Sequence, residues 1–151
     1  MRALFLILCL LPPLAAADPN EKLTIAAVQK LFDAMSAHDS EAARTVVLGE
    51  GRTVAIREDG TPNIGSLEQF AARLSSIKEP ILERMWDVKV RIDGPLAQLW
   101  ADYDFWRDGK FHHCGVDAVS LVKTPEGWKI SGITWTSRTT GCAPSPLGPP
   151  H

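Results

Sequence analysis

Apolar positions recur at one spacing in the first half of this chain and at another in the second. In the first half Ile25, Val28, Leu31, Phe32 and Met35 form a single helical stripe. Thr24 stands where it can cap the start of that helix. His38-Asp39-Ser40 breaks the stripe, and Glu41 to Val47 reads as a second, shorter helix with Ser40 as N-cap and Gly49 just past its end. Thr53 to Ile56 reads as a short strand, followed by turns at Asp59-Gly60 and Thr61-Pro62. Ser66 and Gln69 then make an S-x-x-Q capping box. It opens a third helix that buries Leu67, Phe70, Ala71, Leu74 and Ile77 and ends at Pro80.

From Ile81 to Thr136 the spacing changes to alternation, the period of a strand. Gly94-Pro95, Asp108-Gly109 and Thr124-Pro125-Glu126-Gly127 divide this stretch into four strands, and Asp108-Gly109 is a strong two-residue hairpin signal. Tight hairpins fix which residues face each other. Pairing Asp93 with Leu96 sets Val90 opposite Leu99, Val88 opposite Ala101, Trp86 opposite Tyr103 and Arg84 opposite Phe105. Pairing Arg107 with Lys110 sets Phe105 opposite His112, Tyr103 opposite Cys114 and Ala101 opposite Val116. The two counts agree on one apolar face: Leu82, Trp86, Val88, Val90, Ile92, Ala97, Leu99, Ala101, Tyr103, Phe105, Val116 and Ala118. They place Asp87, Lys89, Arg91, Gln98, Asp102, Asp104, His113 and Asp117 on the other. A bulge at Gly115 would shift every residue after it. Helices followed by a long antiparallel meander is an α+β order.

The first 17 residues stand apart from this pattern. Arg2 precedes an apolar run from Ala3 to Leu14, too short to span a bilayer as a helix, and Ala15-Ala16-Ala17 completes a cleavage signal. We read 1–17 as a signal peptide, 18–142 as one domain and 143–151, with its four prolines, as a disordered tail. A lipid anchor at Cys9 is disfavoured, because Cys9 lies inside the apolar run behind the bulky Leu8. The processed protein is then secreted or periplasmic. Two cysteines remain, Cys114 and Cys142, the number that makes one disulfide in an oxidising compartment.

Losing Arg2 takes the net charge from −2 to −3, and no basic run is interleaved with aromatics. Nothing in this balance favours nucleic acid or, after processing, an anionic membrane surface.

Together, Trp100-Ala101-Asp102-Tyr103-Asp104-Phe105, the Asp108-Gly109 turn, His113-Cys114-Gly115-Val116-Asp117, Leu121-Val122-Lys123, Gly127-Trp128-Lys129-Ile130 and Gly141-Cys142 resemble exported bacterial proteins of the nuclear transport factor 2-like superfamily. Leu31-Phe32-Asp33-Ala34-Met35 looks like the first helix of that superfamily. The resemblance implies a cone: N-terminal helices packed in the concave face of a strongly curved, mainly antiparallel sheet, with an apolar cavity at the open end. It also implies that a homodimer through the convex sheet face is common. Relatives include isomerases, dehydratases, SnoaL-like cyclases and proteins without known activity. No catalytic set of those enzymes matches residue by residue, so fold does not fix function here.

On the expected inner face, Arg84, Trp86, Tyr103, Phe105 and His112 form the candidate ligand site. Tyr103 can donate to a carbonyl, His112 can act as acid or base, and Arg84 can hold an anion. The ordinary alternatives are a snorkelling Arg84, a core Tyr103 and a loop-end His112. Asp117 is the rival base, expected outward where Lys89 can pair with it. His112 and Cys114 supply too few ligands for zinc, and the common metal, nucleotide and hydrolase motifs are absent, so we expect no cofactor and no metal. Three functions fit: a binder of a small apolar or amphipathic molecule; a proton-transfer isomerase, dehydratase or cyclase; or a protein-interaction module using Trp100 and Trp106 on the convex face.

Overall fold

The computed structural model describes residues 19–150. The proposed signal peptide lies outside the described residues. Within them, no helix is long and apolar enough to cross a membrane.

Helix α1 runs Pro19–Ser36. Proline suits the first helical position, where its missing N–H leaves no bond unmade. Thr24 is therefore inside the helix rather than capping it. It is fully buried, and its hydroxyl donates to the Glu21 carbonyl at 2.8 Å. Helix α2 spans only Ser40–Arg44, and its N-cap is Asp39, whose carboxylate accepts from the Ala42 N–H at 2.9 Å. The Ser40 hydroxyl instead accepts from the Ser75 N–H at the end of the third helix. This helix is shorter than the apolar spacing suggests, because Thr45 and Val46 turn the chain and Val47 opens strand β1, Val47–Ile56, which also contains Gly49. A short strand β2, Pro62–Ser66, pairs back on β1, so the Thr61-Pro62 turn opens a strand. Helix α3, Leu67–Leu74, starts at the expected capping box, with Ser66 and Gln69 bonded reciprocally.

Strands β3 Ile81–Asp93, β4 Leu96–Arg107, β5 Lys110–Thr124 and β6 Gly127–Thr136 form the meander. The sheet order is β2-β1-β6-β5-β4-β3. All neighbours are antiparallel except β1 and β6, which run parallel. Helix α1 lies across β3 and reaches β6 and β4, while α3 covers β1. Val28, Leu31, Leu67, Leu99, Leu121 and Ile130 are almost fully excluded from water between these layers. The architecture is the α+β arrangement expected, with helices against one face of a six-stranded sheet.

Two bulges alter the expected register of the hairpins. Between β3 and β4 the pairs run as counted from Asp93–Leu96 to Lys89–Trp100, then shift, so that Trp86 faces Asp102, Met85 faces Tyr103 and Arg84 faces Asp104. Asp87 supplies the bend, with φ of 48°. Aspartate is among the few residues that enter this left-handed region readily. Between β4 and β5 the Arg107–Lys110 and Trp106–Phe111 pairs precede a second shift. His112 is the extra residue there, and Phe105 faces His113, Tyr103 faces Gly115 and Ala101 faces Asp117. A bulge puts two residues opposite one and reverses the face of every residue beyond it. Leu82, Arg84, Trp86, Val116 and Ala118 therefore belong to the outer face, and Glu83, His113 and Asp117 to the inner one. The disturbance is at His112, not Gly115. Gly115 serves a different need: a Cβ there would collide with the Thr136 carbonyl oxygen.

On the outer face Cys114 is bonded to Cys142, with Cα atoms 6.0 Å apart. Closing a loop of this length contributes about 3–4 kcal/mol on the chain-entropy model. The segment after it, expected to be disordered, lies without helix or strand over Asp104, Trp106 and Phe111. The Gly148 carbonyl accepts from the Arg84 guanidinium at 2.8 Å.

Candidate functional site

A cavity of about 220 Å³ opens between α1, α3 and the inner face of the sheet. Its walls are Leu31, Phe32 and Met35 from α1, Phe70, Leu74 and Ile77 from α3 and the segment after it, and Ile81, Phe105, Ile133 and Trp135 from the sheet. Four polar side chains enter it: Glu83, Arg107, His113 and Asp117. A second hollow of about 240 Å³, lined by Thr53, Asn63 and Arg73, backs onto the same Phe70, Leu74, Ile77 and Trp135.

Asp117 is 3 % exposed, and its Oδ2 is buried without a hydrogen-bond partner among the described residues. Its neighbour is another acid. Glu83 and Asp117 meet across the cavity floor and share a hydrogen bond, and among the described residues no cation is close enough to pair with either. Burial pushes Asp117 up to about 7, while the bond from Glu83 favours its charged form. Burial, and then the adjacent Asp117, hold Glu83 well above the usual carboxylate range. Around and above pH 7, desolvation and proximity prevent the two carboxyls from ionising together, and they keep one proton between them.

His113 forms the side of the cavity. Its ring stacks on Phe105 with centroids 4.8 Å apart and meets Tyr103 edge-on. Burial, then the charges of His112 and Arg107, lower its pKa to about 4, so the ring is neutral at neutral pH. Its Nδ1 lies 2.8 Å from Nδ1 of His112.

The sequence-derived candidates are distributed differently. Phe105 lines the cavity. Tyr103 is on the inner face but 1 % exposed, and its hydroxyl donates to the Thr136 carbonyl at 2.8 Å. Burial raises its pKa, so it stays a phenol. His112 is exposed at the bulge and does not line the cavity; its ring meets His113 and the edge of Phe105. Arg84 and Trp86 lie on the outer face; Arg84 binds Asp104 at two points, with Nε to Oδ1 at 2.9 Å, and stacks over Trp106. Asp117, expected outward, points in. Glu83, His113 and Arg107 are site residues outside the candidate set read from the sequence. The one sequence signal for Glu83 is Asp87 in the middle of a long strand, a residue type suited to a left-handed bulge; nothing comparable announces the extra residue at His112, and Arg107 shares the alternation of Tyr103 and Phe105.

No family model matches the sequence, and no curated protein matches it. The structure has many neighbours. A nuclear transport factor 2-like protein with a cystatin-like fold from Novosphingobium aromaticivorans superposes with TM-score 0.67 at 15 % identity, covering 82 % of this chain and 84 % of that one. The chain has the nuclear transport factor 2-like fold. A nuclear transport factor 2-like protein from Cytophaga hutchinsonii gives TM-score 0.66 at 15 % identity over 78 % of this chain and 98 % of that one. A candidate dehydratase of the nuclear transport factor 2-like family from Streptomyces avermitilis gives 0.64 at 18 % identity over 82 % and 100 %. Identities this low establish the nuclear transport factor 2-like fold and leave the activity to the site itself.

Proposed function

We propose that the cavity binds a small, largely apolar molecule and moves a proton on it, with Asp117 as the base. The observation that carries this reading is the buried, unpartnered Oδ2 of Asp117 inside an apolar hollow. A buried carboxyl without a counter-ion destabilises a fold, and acid–base catalysts are tuned by such surroundings. A pKa of about 7 lets one group both accept and return a proton near neutral pH. Asp117 takes a proton from a carbon beside a carbonyl, and the bond's electron pair passes to the carbonyl oxygen. Glu83, protonated, donates a hydrogen bond to that oxygen. Returning the proton to another carbon completes an isomerisation; returning it to a departing hydroxyl releases water. The cavity is smaller than the roughly 300–1,000 Å³ of drug-sized sites, which favours a compact substrate.

Export is part of the proposal. The leader pattern of residues 1–17 and the Cys114–Cys142 bond both suit an oxidising compartment outside the cytoplasm. Use of the convex face by a partner or a second copy is a weaker reading: Trp100 is exposed there, but Trp106 is partly covered by the C-terminal segment.

The test is hydrogen exchange in D2O on a panel of small ketones and unsaturated carbonyl compounds, followed by proton NMR. Asp117→Asn is expected to slow exchange by about 10²–10⁴-fold, the usual contribution of a positioned base. Wild-type protein that binds these compounds, seen by shifts of the His113 ring, yet leaves exchange at the buffer rate is a binding domain and not an enzyme.

A further inference from the structure

The mouth of the cavity carries charge that the proton-transfer step does not use. Arg107 ends β4 and lines the opening beside His113. Lys110 faces it across the hairpin, on the same side of the sheet. Among the described residues neither cation has an acid within ion-pairing distance. The acid that senses Arg107 is Glu79, whose carboxylate is already engaged by the Lys78 N–H. His113 has its Nδ1 committed to His112, which leaves Nε2 for the cavity.

The interior has the opposite character. Around Arg107 and His113 the walls are apolar; Glu83 stands level with His113 across Phe105, and Asp117, opposite Ala101, lies deeper along the sheet. An anion pushed to the floor would meet a second negative charge in a dry site, at high cost. An anion left at the mouth meets a guanidinium suited to grip a carboxylate at two points. The gradient from the cations at the mouth to Asp117 at depth orients a ligand with its charged end outward.

We infer that the ligand of this cavity is a small carboxylate, its anionic end held at the mouth by Arg107 with His113 beside it and its apolar body reaching toward Asp117. The inference rests on the reading of the cavity as the ligand site, but not on whether the bound molecule reacts.

The probes are phenylacetate, 3-phenylpropanoate and 4-phenylbutanoate, each against its neutral amide, measured by calorimetry and by the ring resonances of His113. At least one acid is expected to bind about tenfold or more tightly than its amide, with the advantage shrinking as salt is added. Binding of the acid should raise the His113 pKa, since a nearby anion favours the imidazolium. In Arg107→Gln the acid should lose about tenfold or more in affinity and the amide far less, so that the acid preference disappears; Arg107 is exposed, so the variant is expected to fold. Equal affinity for acid and amide in the wild type, or an acid preference that survives Arg107→Gln, overturns the inference and leaves the ligand site standing. If no member of either series binds or shifts His113, the ligand-site reading falls and this inference with it.

Discussion

Asp104 and Asp117 stand on neighbouring strands of one sheet, each 3 % exposed, and their surroundings differ in almost every other way. Asp104 is on the outer face with a two-point Arg84, which is itself braced by the Gly148 carbonyl and the Trp106 ring. Asp117 is on the inner face against apolar walls, with another acid as its polar neighbour. Burial is the same and compensation is not. A buried carboxylate that serves the fold is given a counter-ion. One that is denied a counter-ion must be held partly protonated, and that is useful only where a proton has somewhere to go.

The strongest way to break this comparison is to remove what each aspartate depends on. Arg84→Ala leaves Asp104 charged and unpaired, and is expected to lower unfolding stability by about 3–5 kcal/mol in a urea titration. Asp117→Asn removes an uncompensated acid from the other face, and is expected to leave stability unchanged or raise it. Equal losses in the two variants would mean that both aspartates are structural.

A smaller effect separates them by pH. Asp117 is raised from 3.8 to about 7 and Glu83 is raised in the same direction. The native state therefore keeps protons that the unfolded chain releases. The stability from this source is fully present below about pH 3.8 and is lost as pH climbs to about 7, with a slope of at most about 1.4 kcal/mol per pH unit for each proton retained. His113 works the other way. Its pKa falls from 6.5 to about 4, so its contribution is present above pH 6.5 and lost as pH falls toward 4. Two carboxyls outweigh one half-buried imidazole, so wild-type stability should fall between about pH 5 and 7. Asp117→Asn should flatten that slope, because Glu83, still raised by burial, is then offset by His113. Denaturant midpoints at several pH values in this window read the result, and an unchanged slope in the variant would remove Asp117 as its source.

The contrast between the two faces also marks how much of the molecule is legible in its sequence. Local signals hold: the Ser66–Gln69 box, the Asp108-Gly109 turn with φ of 50° and 67°, and every β3–β4 pair from the Gly94 turn down to Lys89. Alternation then carries the count through Asp87 and His112, where the chain inserts a residue without a glycine to announce it. One skipped residue reverses a face, so the count puts Arg84 and Trp86 in the cavity and leaves Glu83, His113 and Asp117 outside. The β1–β6 pairing and β2 escape the sequence for other reasons. β1 and β6 are distant in the chain, with no turn to fix their pairing, whereas β2 returns on β1 through the Asp59-Gly60 turn and is missed because Pro62–Ser66 has little apolar alternation. The fold is legible because its order of elements survives such errors; the site is not, because it depends on phase.

That dependence can be tested at Asp87, where the expected stability change is the smallest. Its bridge to Lys89 is exposed and contributes little. Its left-handed φ is what matters. Asp87→Gly relieves the steric cost of that conformation but adds unfolded-state freedom, so the net change should stay under about 1 kcal/mol. Asp87→Val loses the same ion pair and forces a β-branched residue into the left-handed region, which should cost about 1–2 kcal/mol. If the strand escapes that strain by giving up the bulge, Glu83 turns to the outer face and Asp117 loses its partner. Proton exchange would then fall in Asp87→Val far more than stability does, and would stay near wild type in Asp87→Gly. Parallel losses of stability and exchange in the two variants would show that the bulge has no special part in building the site.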